Sequence, residues 1–207
     1  MKMAIAEGLA NSYSYTKYRD ILHVLLSQGK SSGPKQSEDL LAYSQLNEAR
    51  MDRLDKKIVV PEENITKLLA IKEKYIWLVL SEGWCGDAAQ LIPIFNKLAI
   101  LSPNIDLKIA FRDENEALMN LFLTNGSRSI PKLIVLDKKT LEVRANWGPR
   151  PKPAAHIISS YKAQYGVIDE TARKELHLWY SRDKGVTAQE ELIQLMEDVE
   201  HAFYTKR

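Results

Sequence analysis

The period of the apolar positions changes along this chain, and the changes mark its elements. Near the start, Tyr15, Tyr18, Leu22, Leu25 and Leu26 recur at helical spacing. Gly29, Gly33 and Pro34 break that pattern. Ser37 then offers a hydroxyl to the unpaired N–H groups of a second helix. Its apolar stripe, Leu40, Leu41, Met51 and Leu54, is sparse. Pro61 suits the first turn of a third helix, having no N–H to leave unpaired. That helix is expected to reach about Glu73.

Tyr75-Ile76-Trp77-Leu78-Val79-Leu80 is apolar on successive residues, as in a central strand covered on both faces. A helix follows over Gly86–Leu101, interrupted by Pro93, and then a strand over Ile105–Phe111. Residues 114–124 read as a helix ended by Asn125-Gly126. Residues 133–136 and 141–145 flank a turn at 137–140 as a hairpin, and 153–165 forms a further helix. The tail is helical again over 171–180, with Leu176 and Trp179 inward. A polar turn at 181–186 leads to Thr187-Ala188-Gln189-Glu190, which has capping-box spacing. Leu192, Leu195, Met196, Val199 and Phe203 share one face of the helix it opens.

Composition narrows the function classes. The 29 basic and 27 acidic side chains leave a net charge of +2, which gives no general attraction to nucleic acid or anionic lipid. An apolar fraction of 45% is enough for a sizeable core. The first eight residues lack the apolar centre of a secretory signal, and the longest apolar runs are too short to cross a bilayer. The expectation is a cytoplasmic protein without a membrane partner. His23, His156, His177 and His201 fall on separate expected helices without metal-ligand spacing. They read as surface or packing histidines, and no metal site is expected.

The candidate chemistry lies in Ser81-Glu82-Gly83-Trp84-Cys85-Gly86-Asp87-Ala88, which holds the one cysteine of the chain. One cysteine excludes an intramolecular disulfide. Cys85 falls where a strand ends and a helix begins. Unpaired N–H groups and the helix dipole favour its thiolate there. Asp87 opposes them by like-charge repulsion, while also suiting the first turn of the helix. The two effects leave the direction of the net shift at Cys85 open.

Three landmarks make this region resemble thioredoxin. An apolar strand leads into Trp84-Cys85-Gly86, Pro93 stands eight residues after Cys85, and Ile130-Pro131 precedes the apolar run Leu133-Ile134-Val135-Leu136. The resemblance covers residues 61–165, with Ala88 where thioredoxins carry the second cysteine and Asp87 where they commonly carry proline. It implies a three-layer α/β/α core with helical extensions at 1–60 and 166–207. A remnant of the usual first strand falls at Lys57-Ile58-Val59-Val60. It further implies a cis Pro131 opposite Cys85, Trp84 shielding the sulfur, and Ile130 offering a backbone edge to a substrate segment. Arg112-Asp113-Glu114-Asn115, Trp147-Gly148-Pro149-Arg150-Pro151 and Leu176-His177-Leu178-Trp179-Tyr180 resemble motifs of a bacterial group with W-C-G-D at the cysteine. Arg112 and Arg150 are candidates for holding an anionic thiol; the competing reading has Arg112 paired with nearby acids and Trp147 in the core.

Ala88 has the plainest consequence. Without a second thiol, exchange stops at the mixed disulfide unless an outside thiol resolves it. The first functional reading is therefore a monothiol protein engaging a disulfide or oxidised-thiol partner through Cys85, with a low-molecular-weight thiol as resolving partner and no resident cofactor. The second is a redox-inactive binding module using its surface and helical extensions. A third is shared thiolate cofactor binding, as in monothiol glutaredoxins.

Overall fold

A computed structural model describes residues 1–205 of the chain. Its elements in order are α1 (Lys2–Ala10), β1 (Ser12–Tyr13), α2 (Tyr15–Ser27), α3 (Glu38–Lys57), α4 (Glu62–Leu69), β2 (Tyr75–Ser81) and α5 (Gly86–Leu101). There follow β3 (Ile105–Phe111), α6 (Glu116–Met119), β4 (Lys132–Asp137), β5 (Val143–Trp147), α7 (Lys152–Tyr165), α8 (Glu170–Asp183) and α9 (Val186–Thr205). The strands form one mixed sheet in the order β1-β3-β2-β4-β5, with helices on both sides. β2 pairs in parallel with β3 and antiparallel with β4.

The period of two along β2 explains the layers. Trp77 is fully buried and its Nε1 donates to Met196 of α9 at 3.3 Å. Leu78 points to the other face, beneath Gly8 of α1. A strand covered on both faces needs apolar residues at every position, which is the pattern its sequence carries.

The N-terminal segment is part of this sheet. Ser12 and Tyr13 pair antiparallel with Ala110 and Ile109 on the outer edge of β3. That placement corrects the expected strand at 57–60. Lys57 ends α3, and the extended residues after it take no part in the sheet. Val59 instead accepts a hydrogen bond through its carbonyl from Gln189 Nε2 at 3.1 Å. Arg19 ties α2 to α3, reaching Glu48, Asp52 and Asp55 at 3.0, 2.5 and 2.6 Å.

Other expected boundaries move for local reasons. α4 stops at Leu69, short of Glu73, because the Glu200 carboxylate accepts from the backbone N–H groups of Lys72 and Glu73. The helix expected over 114–124 is a single turn of 3-10 helix followed by the four residues of α6. Asn125 and Gly126 do not end a helix; both have positive φ and form the tight turn of a bridge between Thr124 and Ser127. β5 begins at Val143 because Asp137 Oδ1 holds the N–H groups of Lys139 and Thr140, which extends the turn through Leu141.

α8 continues through Ser181 to Asp183, so the turn shrinks to Lys184 and Gly185, both with positive φ. The capping box at 187–190 is not used. Asp183 supplies the cap, accepting from the Thr187 N–H at 3.2 Å and from its hydroxyl. No helix among the described residues is long and apolar enough to cross a membrane.

Candidate functional site

Cys85 is the N-cap of α5, reached directly from the end of β2. Its Sγ accepts from the Ala88 N–H at 3.5 Å and lies 3.4 Å from the Ile130 carbonyl, to which the thiol donates. The Ile130–Pro131 peptide is cis, and the loop before β4 faces the cysteine through the Ile130 carbonyl. Ala88, at 1% exposure, sits under the sulfur where a second thiol would stand.

The opposing electrostatic effects at Cys85 resolve in one direction. Burial pushes its thiol up to about 12, and the Asp87 carboxylate adds to the rise. The N–H groups of Ala88 and Asp87 and the Arg150 guanidinium pull the other way and lose. The helix N-terminus is thus present, but desolvation of a residue with 8% exposure outweighs it. Cys85 rests as a neutral thiol.

Asp87 is itself buried and doubly held. Arg150 Nη2 lies 2.6 Å from one carboxylate oxygen, and the Tyr180 hydroxyl donates to the other at 2.8 Å. Burial and the neighbouring carboxylate raise the Tyr180 hydroxyl well above its ordinary value, so it remains a donor. Three distant stretches, β2–α5, the loop before α7 and the end of α8, are pinned at this point.

The floor of the loop comes from the N-terminal segment. Ser32 donates to the Glu82 carboxylate and its oxygen accepts from the Gly83 N–H at 2.8 Å. Asn47 of α3 donates to the Gly83 carbonyl at 2.9 Å. A Cβ at Gly83 would come within 2.6 Å of a Leu22 methyl, which would have to shift. Glu82 is fully buried, and its other oxygen accepts from the Asp113 N–H at 2.9 Å. Burial lifts its carboxyl to about 7 despite those hydrogen bonds.

The outer side of the loop is covered by α3 and α8. Arg50 donates to Asn47 at 2.9 Å and lies 3.3 Å from His177 Nε2. Arginine can only donate, so His177 accepts through Nε2 and carries its proton on Nδ1. Burial, then Arg50, lowers its basicity. Both side chains lie over Gly86, the residue after the cysteine. His177 therefore packs, as expected of it, yet it packs beside the site.

The structure brings together Trp84, Cys85, Gly86, Asp87, Ala88, Ile130, Pro131 and Arg150. Arg112 stands to one side, paired with Asp113 at 2.7 Å and stacked on the half-buried Trp84 ring at 4.9 Å. Both arginines thus already carry an acidic partner. Trp147 packs edge-on against Phe95 at 5.7 Å and donates to Glu191. Glu82, Ser32, Asn47, Arg50 and Tyr180 were not among the sequence candidates. Only the Leu176–Tyr180 motif carried a signal. Among the described residues no three His, Cys, Asp or Glu side chains cluster as metal ligands.

Comparison with known proteins agrees with this geometry. In fold, the chain is similar to a protein of unknown function from Pseudomonas aeruginosa, with a TM-score of 0.52 and 19% identity over 94% of this chain and 99% of that one. It is also similar to an HIV epitope-scaffold, with a TM-score of 0.56 and 19% identity over 90% and 99% of the two chains. Curated protein sequences give no match. A family model described as Thioredoxin matches residues 33–162, which include α3, the cysteine loop, the Ile130–Pro131 loop and Arg150. With more than half of its length in that match, the chain belongs to the thioredoxin family.

Proposed function

We propose that this protein is a thioredoxin-fold binding module whose cysteine site is held closed and does not turn over disulfides unaided. The observation that carries this reading is the state of Cys85. The sulfur is buried, donates to the Ile130 carbonyl and has alanine beneath it. A nucleophilic cysteine needs thiolate character and access, and this one has little of either. The closing contacts come from outside the core strands: Ser32, Asn47, Arg50, His177 and Tyr180. On this reading the flanking helices seal the cysteine loop, and partners are met by the surface they build around it.

Monothiol exchange is the second reading, favoured by the Ala88 N–H already pointing at Sγ. In it the Cys85 thiolate attacks one sulfur of a partner disulfide. A mixed disulfide forms and the partner's other sulfur leaves as thiolate. An external thiolate then attacks the partner sulfur, releasing Cys85 and forming a disulfide between itself and the partner. This needs the site to open and the thiol to lose its proton.

Alkylation of Cys85 with iodoacetamide across pH, in folded and urea-unfolded protein, separates the two. The binding reading expects slow reaction of folded protein at neutral pH, with the midpoint displaced well above that of unfolded chain. Rapid alkylation at pH 7, or steady disulfide reduction once glutathione is added, would establish the monothiol reading instead.

A further inference from the structure

Between the C-terminal end of α3, the middle of α5 and the α8–α9 turn lies a cavity of about 540 Å³. Cys85 is not in its wall, so the inference goes beyond the closed-thiol reading. The volume falls in the range of small-molecule sites, roughly 300–1,000 Å³. Its floor is apolar: Ile58, Leu91 and Ile94 line it at 8%, 0% and 1% exposure.

Two further observations give the cavity chemical character. Gln90 lines it at 7% exposure, and its side-chain amide has no hydrogen-bond partner among the described residues. The amide still reaches solvent in the cavity, so it offers an occupant an open donor and acceptor at the wall. The charges on the wall are also unbalanced. Arg53, Lys57 and Lys184 line it without an acidic partner among the described residues. The one acid there, Asp183, is engaged by the N–H groups of Gly185 and Thr187. An apolar floor under an uncompensated cationic rim attracts an anion attached to an apolar body.

We propose that this cavity binds a small amphipathic carboxylate, its apolar body on Ile58, Leu91 and Ile94 and its carboxylate at Arg53 and Lys57. The planar fork of Arg53 matches a carboxylate in two parallel hydrogen bonds. Gln90 meets a polar atom of the same ligand inside the cavity.

Isothermal titration of the full chain with decanoate, decanol and decyl phosphate tests this. Decanoate is expected to bind at least tenfold more tightly than decanol and more tightly than decyl phosphate. Exchanging the exposed pair, Arg53→Gln with Lys57→Gln, should remove that advantage while leaving decanol binding unchanged, and Gln90→Leu should weaken decanoate severalfold. Cys85→Ser should change none of these affinities, which keeps the result independent of the fate of the thiol. Equal binding of decanoate and decanol, tighter binding of the phosphate, or no binding of any of the three by folded protein would each overturn the proposal.

Discussion

The Tyr180 hydroxyl donates to Asp87 Oδ1 at 2.8 Å, joining residues 93 positions apart in the chain. With Arg150 on the other carboxylate oxygen, it fixes the first turn of α5 from two sides. The bond ties a C-terminal helix down beside that turn. Cys85 is two residues away, and its burial follows from the same arrangement.

Removing the cation from that arrangement should be costly. Arg150→Met leaves the Asp87 carboxylate 8% exposed and without its ion partner. Breaking a buried pair from one side costs about 3–5 kcal/mol; Arg150 is partly open to solvent, which points to the lower end. Tyr180→Phe removes one hydrogen bond to a charged acceptor and should cost about 1–3 kcal/mol. Urea unfolding measures both, and the double variant should lose less than the sum because the two share Asp87. A loss below about 1 kcal/mol for Arg150→Met would show that this ion pair does not hold the first turn of α5.

Stability should fall at high pH through Cys85. Its thiol is raised in the folded state to about 12 from an ordinary value of 9.0. Between those values the unfolded chain releases the proton and the folded chain keeps it. The folded state then binds more protons, so its stability declines as pH rises through that window. Other groups titrate there too, so the measurement is the difference between wild type and Cys85→Ser. That difference should shrink steadily from pH 9 upward; a flat difference would mean that Cys85 is not protected.

Glu82 acts in the same sense at lower pH. Its carboxyl is raised from 4.5 to about 7 by burial. The folded state therefore holds a proton that the unfolded chain has lost between those values, and the stability it contributes below pH 4.5 is lost as pH rises toward 7. Glu82→Gln keeps one acceptor oxygen, which can take the Asp113 N–H while the amide NH2 turns to the Ser32 oxygen, and it removes the titration. Its unfolding free energy should vary less than that of wild type between pH 5 and 7, measured at constant ionic strength.

The parts of this fold that were legible in sequence are those where packing is apolar. β2 announces itself because both its faces are buried, and Cys85, Pro93 and Ile130-Pro131 sit around it at the expected places. The parts that were not legible are held by polar contacts. α3 reads as a poor amphipathic helix because Ser44 and Asn47 lie on its buried face with Met51, meeting Ser31 and the Gly83 carbonyl rather than a core. β1 has two residues, too few for any period to show. Arg50 reaches the cysteine loop only through folding, and nothing local in its sequence marks it as a neighbour of Gly86. Tyr180 lay in a motif the sequence did show, but its bond to Asp87 spans too many residues for any local pattern to show.

Gly148 supplies a test of how the Pro131 loop is seated. Its φ of +110° is strained for any other residue, and an added Cβ would collide with the Pro131 carbonyl oxygen. That oxygen is backbone and cannot rotate away. Gly148→Ala should therefore lower thermal stability and shift the loop that faces Cys85. The second effect is read as faster alkylation of Cys85 at pH 8 under conditions where circular dichroism shows the chain still folded. Unchanged alkylation in a destabilised but folded variant would show that the loop and the sulfur are not mechanically linked.

Ala88→Cys asks whether this site still has the geometry for dithiol chemistry. The Ala88 N–H reaches Cys85 Sγ at 3.5 Å, so a side chain at position 88 starts within one helical turn of the sulfur. Two cysteines three residues apart at a helix start can meet the separation a disulfide requires. Position 88 is 1% exposed, so the added sulfur also has to displace packing, at a cost of about 1–3 kcal/mol. Oxidation of the variant should close a bond between residues 85 and 88, seen as the loss of two alkylation sites by mass spectrometry. The Cys85 thiol should then become competent in insulin reduction with dithiothreitol as electron donor, while wild type stays inactive. Closure without turnover would place the obstacle in access, since Arg50, His177 and the Tyr180–Asp87 bond would still cover the loop. Failure to close the bond in folded protein would place it in the sulfur itself, held by the Ile130 carbonyl too firmly to turn toward position 88.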